Sequence, residues 1–222
     1  MKSWQPLAVL FAIVAASLGR TGCHSTPDHP PTRVNIIFDT TVEKRLSVSR
    51  SREATLLSRL GREDRAALYT LDQSCTEVYS PDQALPSGLD NTLLMLVKRI
   101  KPSPLRGTFP HNAWKKQVEE IQHDSRPTVL VWETDGDEDQ SGEAARRETQ
   151  SAIKKLASLP QLRLVVLVGI NQEQRQRVRA ELAPFGKRCA ILEQDSPTNQ
   201  LVETVQGAIY TTVNSASKGG AQ

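Results

Sequence analysis

A chain of 222 residues fits one compact domain with short tails. Its 28 basic residues nearly balance 25 acidic ones; Lys2 and Arg20 fall in an acid-free stretch, residues 1–22, so the remainder carries 26 against 25. Such a balance exerts no global pull on nucleic acid or on anionic lipid, and neither is expected as a partner.

Residues 1–22 read as an export signal. Lys2 supplies the positive start, and Leu7 to Leu18 is an apolar run of 12 residues, short of the roughly 20 that span a bilayer as a helix. Gly22-Cys23 resembles the end of a bacterial lipoprotein signal, with Cys23 as the lipidated residue, whereas Arg20 stands where that signal has an aliphatic residue. Lipidation, simple cleavage and an uncleaved anchor all stay open. Residues 23–32 form a linker in which Pro27, Pro30 and Pro31 favour extended backbone.

The domain is expected over residues 33–213. Val34 to Phe38 is a short apolar run ending at Asp39 and reads as a buried strand. A helix is expected from Ser47 to Leu60, a strand over Ala66 to Leu71, and a short edge strand over Thr76 to Tyr79. Leu93, Leu96, Val97 and Ile100 make one helical stripe, stopped by Pro102 and Pro104. Pro110 suits the first turn of a helix running to His123. Val129 to Trp132 is a strand, Glu143 to Leu159 a helix ended by Pro160, and Leu162 to Ile170 the most apolar strand. A helix over Gln172 to Leu182, a strand over Cys189 to Leu192 and a helix over Asn199 to Val213 follow, then a polar tail, 214–222. Strands that alternate with helices and lack period-2 alternation are covered on both faces. The expected fold is therefore α/β: a three-layer, open, mostly parallel, doubly wound sheet, Rossmann-like in layout, with one short antiparallel edge strand.

In such sheets ligands bind at the carboxyl ends of the strands. Asp39 ends the first strand, Thr134-Asp135-Gly136 follows the strand Val129 to Trp132, and Arg106-Gly107-Thr108 precedes a helix. If the two strands are neighbours, Asp39 and Asp135 meet at one edge with the hydroxyls of Thr41 and Thr108, an oxygen-only set suited to a hard divalent cation. These stretches resemble the von Willebrand factor A domain and its metal-ion-dependent adhesion site. That site has Asp-x-Ser-x-Ser after the first strand, where this chain has Asp39-Thr40-Thr41-Val42-Glu43. It also has a Thr in a Gly-rich loop and an Asp in a Thr-Asp-Gly turn. Leu60 to Asp72 resembles the family's Gly-Asp-Arg lead into the second strand.

The resemblance implies metal contacts from Asp39, Thr41, Thr108 and Asp135, Mg²⁺ or Ca²⁺ as the ion, and a partner carboxylate completing its sphere. Glu43 replaces a Ser: it either joins the ligands and favours Ca²⁺, or repels a partner's carboxylate, or points away. His111 and Asp137 are candidates for a partner-binding rim, with loop exposure the plainer reading of each. Glu133 is unusual after the apolar run Val129 to Trp132. It requires the metal edge, a basic partner or a surface position, because a buried unpaired carboxylate is strongly destabilising. Trp114 and Trp132 read as core. The implied strand order puts Cys75 and Cys189 too far apart for a disulfide, which needs Cα atoms within about 7 Å. The implied function is an exported, non-catalytic adhesion or scaffold module of the cell envelope, lipid-anchored, periplasmic or secreted, touching membrane only through its N-terminal anchor.

The enzyme alternative is a haloacid-dehalogenase-like, Mg²⁺-dependent phosphatase with Asp39 as nucleophile. That family has an acid two residues after the nucleophile as general acid, where this chain has Thr41. No P-loop, GxGxxG or Gly-x-Ser-x-Gly motif is present.

Overall fold

A computed structural model describes residues 29–41, 43–61, 63–79, 91–105, 107–137 and 142–216. The export signal, Cys23, most of the linker, Val42, Arg106 and the acidic pair Glu138-Asp139 lie outside the described residues. No helix among those described is long and apolar enough to cross a membrane.

The elements in order are β1 (Arg33–Asp39), α1 (Glu43–Leu57), β2 (Arg65–Leu71), β3 (Cys75–Tyr79), α2 (Asn91–Arg99), α3 (Pro110–Gln122) and β4 (Thr128–Glu133). Then come α4 (Glu143–Ser158), β5 (Leu162–Val168), α5 (Arg175–Glu181), a 3-10 segment (Ala183–Arg188), β6 (Cys189–Leu192) and α6 (Thr198–Ala216). The sheet runs β3-β2-β1-β4-β5-β6. All neighbours are parallel except β3, which pairs antiparallel with β2 at the edge. The expected three-layer α/β fold is the one observed.

Alternate residues of the same strands feed two cores. Val34, Ile36, Phe38, Val129 and Val131 pack with Leu46 and Leu56 of α1, Leu93 and Val97 of α2, and Leu201 and Val205 of α6. Ile37, Tyr69, Leu130 and Trp132 pack on the other face with Trp114 and Val118 of α3, Ile153 and Leu156 of α4, and Val178 of α5. Covering both faces explains why every residue of β1 and β4 is buried and why neither strand shows period-2 alternation. Trp114 and Trp132 meet edge to face at 4.9 Å, as core residues.

Several boundaries differ from the sequence reading: the first helix ends at Leu57, β5 at Val168, and α6 runs to Ala216, into the stretch expected as a loose tail. Two further differences have a clear cause. The first helix starts at Glu43, a turn before Ser47, because its opening turn is polar and carries no apolar stripe; Glu43 there complements the helix dipole. The helix expected to reach Leu182 is only Arg175–Glu181, followed by the 3-10 segment. Pro184 sits at the start of that segment, and Gly186 takes φ 57° within it.

Cys75 and Cys189 are free and sit in β3 and β6, the opposite edges of the sheet. Burial pushes both thiols up, Cys75 to about 12 and Cys189 to about 11. Neither is a thiolate at neutral pH. Both are expected to resist a maleimide in the folded chain and to react in denaturant; a Cys75–Cys189 linked peptide by mass spectrometry would overturn the strand order.

Candidate metal centre

Sheet order reverses between β1 and β4, which are hydrogen-bonded neighbours with Phe38 opposite Glu133. This is the switch point at which α/β sheets open a crevice. Asp39 ends β1 and Asp135 lies two residues beyond β4, so one edge receives both carboxylates.

Asp39 is the hub. Its Oδ1 accepts the Thr41 amide at 3.0 Å and the Thr41 hydroxyl at 2.6 Å. Thr108 Oγ1 lies 3.3 and 3.2 Å from its two oxygens, and Thr134 Oγ1 lies 3.4 Å from Oδ2. The Thr41 and Thr108 hydroxyls are 2.8 Å apart. Asp39, Thr108, Thr134 and Asp135 are all buried. A hydroxyl that gives its proton to Asp39 keeps lone pairs for another partner. Burial raises the Asp39 carboxyl, the Thr41 hydrogen bonds lower it, and the charge of Asp135 raises it further; the net direction is up. Two buried carboxylates against each other, with hydroxyl oxygens beside them, form a donor set that suits a hard cation.

Backbone geometry holds the second acid. The Asp135 carboxylate accepts the Asp137 amide at 3.0 Å, and its carbonyl accepts Asn171 N–H at 3.1 Å. Gly136 takes φ 82°, and its amide donates to Thr134 Oγ1 at 3.2 Å. A Cβ on Gly136 would lie 3.2–3.3 Å from Ile170 Cδ1, Gln174 Cβ and Val178 Cγ2. Gly136→Ala is therefore expected to destabilise by about 1–2 kcal/mol, combining a strained φ with crowding against α5, as read by denaturant unfolding.

The remaining candidates divide. Glu43 is exposed at the first position of α1 and takes no part in the hydrogen bonds around Asp39. His111 is half-buried and stacks on Phe109 at 6.0 Å beside the Thr108 loop. Burial and Asp135 push the Asp137 carboxyl up, opposed by Arg177 and Arg45.

Glu133 has a basic partner. It is 5% exposed. It accepts Ser49 Oγ at 3.0 Å and Arg52 Nη1 at 3.3 Å. Arg52 Nη2 continues to the Gln194 carbonyl at 2.8 Å, tying α1 and β4 to the turn before α6. Glu53 is wholly buried beside Glu133; burial and that charge hold its carboxyl well above the usual range, so it takes the proton of the pair. A cleft of about 20 Å³, room for about one water, lies among Asp39, Arg45, Ser49, Arg52, Glu133 and Asp135. Arg45 closes its rim, donating to Gly169 O at 2.7 Å and Asn171 Oδ1 at 2.6 Å.

Sequence reasoning missed Arg45, Ser49, Arg52, Glu53 and Thr134. A signal for three of them existed: Ser49, Arg52 and Glu53 recur with Leu46 and Leu56 at helical spacing, and Glu133 needed a counter-charge. Asp64, just before β2, is buried and accepts the amides of Gly61 and Thr32 at 2.8 and 3.1 Å, so the acid in the lead into the second strand is a structural clamp.

No protein-family model matches the chain, and no curated protein matches it. Solved structures do match. The PilB minor pilin from Streptococcus sanguinis superimposes at TM-score 0.62 and 12% identity, over 84% of this chain and 64% of the pilin. A von Willebrand factor type A structure from Catenulispora acidiphila gives 0.62 at 14% identity, over 82% of this chain and 43% of that one. Proximal thread matrix protein 1 of the mussel byssus, with a zinc-occupied MIDAS motif, gives 0.56 at 12%, over 80% and 46%. The chain thus spans less than two thirds of each of these proteins.

Proposed function

We propose that this chain, whose fold is that of a von Willebrand factor A domain, is an exported, non-catalytic module that binds a protein partner at the carboxyl edge of its sheet. The observation that carries the reading is the convergence of Thr41, Thr108 and Thr134 hydroxyls on Asp39, beside Asp135, at the switch point. Asp39, Thr41, Thr108 and Asp135 would hold a divalent cation, Mg²⁺ or Ca²⁺, which would offer an open position to an acidic side chain of the partner. Glu43, at the exposed start of α1, stands at the rim with His111 and Asp137. There it selects among acidic partners by charge, or joins the cation when Ca²⁺ is bound.

Nothing at the edge favours the phosphatase alternative. The residue two beyond Asp39 is Thr41, whose hydroxyl donates to Asp39 itself. Export to the cell envelope is the reading of the N-terminal sequence, with Cys23 as the candidate lipid attachment site beside simple cleavage or an uncleaved anchor.

The test is capture of envelope proteins on the immobilised chain, with and without chelator, beside Thr108→Val. The proposal expects a partner lost both to chelation and to Thr108→Val. Capture indifferent to both contradicts a cation-bridged contact, and turnover of a chromogenic phosphomonoester in Mg²⁺ contradicts the non-catalytic reading.

A further inference from the structure

The near-neutral charge of the whole chain conceals a segregated one. Residues 149–172 hold Lys154, Lys155 and Arg163 and no acid; residues 182–192 hold Lys187 and Arg188 and no acid. The fold gathers these stretches. Arg188 Nη1 donates to the Leu162 carbonyl at 2.9 Å and to that of Leu159 at 3.4 Å, and its Nη2 bonds the Ala157 carbonyl. One guanidinium thus draws together the end of α4, the start of β5 and the 3-10 segment. Lys154 and Lys155 lie in the final turns of α4, Arg163 follows Leu162, and Lys187 precedes Arg188. All four are exposed, and none pairs with an acid among the described residues.

The cluster occupies the amino edge of the sheet. Register aligns Arg33 with Thr128 and Thr128 with Leu162, so Arg163 stands at the end where the chain comes in from its N-terminal segment. Acids at this edge lie outside these two stretches: Glu63 and Glu119 are exposed on its other half, and Glu181, at the end of α5, pairs with Arg177. Asp124 pairs with Arg33 and Arg126, Glu120 with Arg33 and Lys116, and Asp64 is buried on backbone amides. Asp39 and Asp135 lie at the far edge, about 20 Å away along strands of this length.

We infer that the Lys154, Lys155, Arg163 and Lys187 cluster is a docking surface for anionic lipid headgroups. It orients the domain with its amino edge on a membrane and the Asp39 edge outward. Charge complementarity selects the occupant. Four exposed cations, on two stretches that carry no acid, suit a surface of closely spaced negative charge, each adding favourable energy near such a surface. An N-terminal attachment, through a lipid on Cys23 or an uncleaved apolar run, would join this edge by a short linker and favours a bilayer over a soluble polyanion as the source. The inference is independent of the cation site.

The experiment uses the full chain with vesicles of phosphatidylcholine alone or with one third phosphatidylglycerol, at low and high salt. Sedimentation reads binding, and acetylation of individual lysines, followed by mass spectrometry, reads contact. On anionic vesicles at low salt, Lys154, Lys155 and Lys187 are expected to be protected while Lys98 and Lys101 stay reactive; neutral vesicles or high salt abolish the protection. Replacing Lys154, Lys155, Arg163 and Lys187 by Gln is expected to weaken the anionic-vesicle increment on the order of a hundredfold. Replacing Lys44, Lys98, Arg99 and Lys101 by Gln makes the same net-charge change away from this edge and is expected to leave most of it. Equal protection on both vesicle types, or equal loss in both variants, would overturn the assignment.

Discussion

Arg52→Met is expected to destabilise the domain by about 3–5 kcal/mol, the largest single-residue effect foreseen, with Ser49→Ala costing about 1 kcal/mol. Arg52 and Glu133 are 5% and 6% exposed in their side chains, and Arg52 is the only basic group bonded to that carboxylate among the described residues. Removing the guanidinium leaves a negative charge in a site from which water is largely excluded, and also frees the Gln194 carbonyl. The pair gives little net stability by existing, yet breaking it is costly, because one ion then keeps its desolvation penalty without its partner. Glu53 sharpens the case. An acid raised in the folded state contributes most below its unfolded value, near 4.5, and loses that contribution as pH rises toward its folded value. The unfolding midpoint in urea should therefore decline from about pH 5 upward in the wild type. It should decline less in Glu53→Gln, which keeps a hydrogen-bond donor and cannot ionise. A flat wild-type profile, or an Arg52→Met variant as stable as the parent, would contradict the buried network.

Asp39→Asn is expected to abolish cation binding and yet, without cation, to stabilise the domain by about 1 kcal/mol. The opposed signs follow from one arrangement. Asp39 and Asp135 are buried close enough for the charge of one to raise the carboxyl of the other. An amide removes that repulsion, and its oxygen still accepts the Thr41 amide. A cation in wild type at a hundred times its dissociation constant should instead add about 2.7 kcal/mol. Lower pH should weaken the cation, since the raised Asp39 carboxyl must lose its proton before it ligates. Thermal unfolding of both proteins, with chelator and with Mg²⁺ or Ca²⁺, reads all of this. If Asp39→Asn is less stable in chelator and responds to cation like the wild type, Asp39 is a structural acid.

The layering of the fold was legible because unalternating strands such as Val129 to Trp132 must be covered on both faces, and the site's core because Asp39 and Asp135 fall at strand ends. The Arg52–Glu133 contact was not, since it joins residues 81 apart that local periodicity cannot pair. The short α5 was missed as well: nothing in Gln172 to Leu182 marks where α-helical turns give way to 3-10, while Pro184 and Gly186 lie just beyond. The gathering of Lys154, Lys155, Arg163 and Lys187 was equally hidden in a balanced total, because it arises only when α4, β5 and the 3-10 segment are brought together by Arg188.

The central claim is that the Asp39 edge is a cation site. Calorimetric titration of the full chain with Mg²⁺, Ca²⁺ and Mn²⁺, beside Asp39→Asn, tests it most directly. The account predicts one saturable site for at least one of these ions in the wild type, absent from the variant. No heat and no thermal stabilisation by millimolar concentrations of any of the three would contradict it.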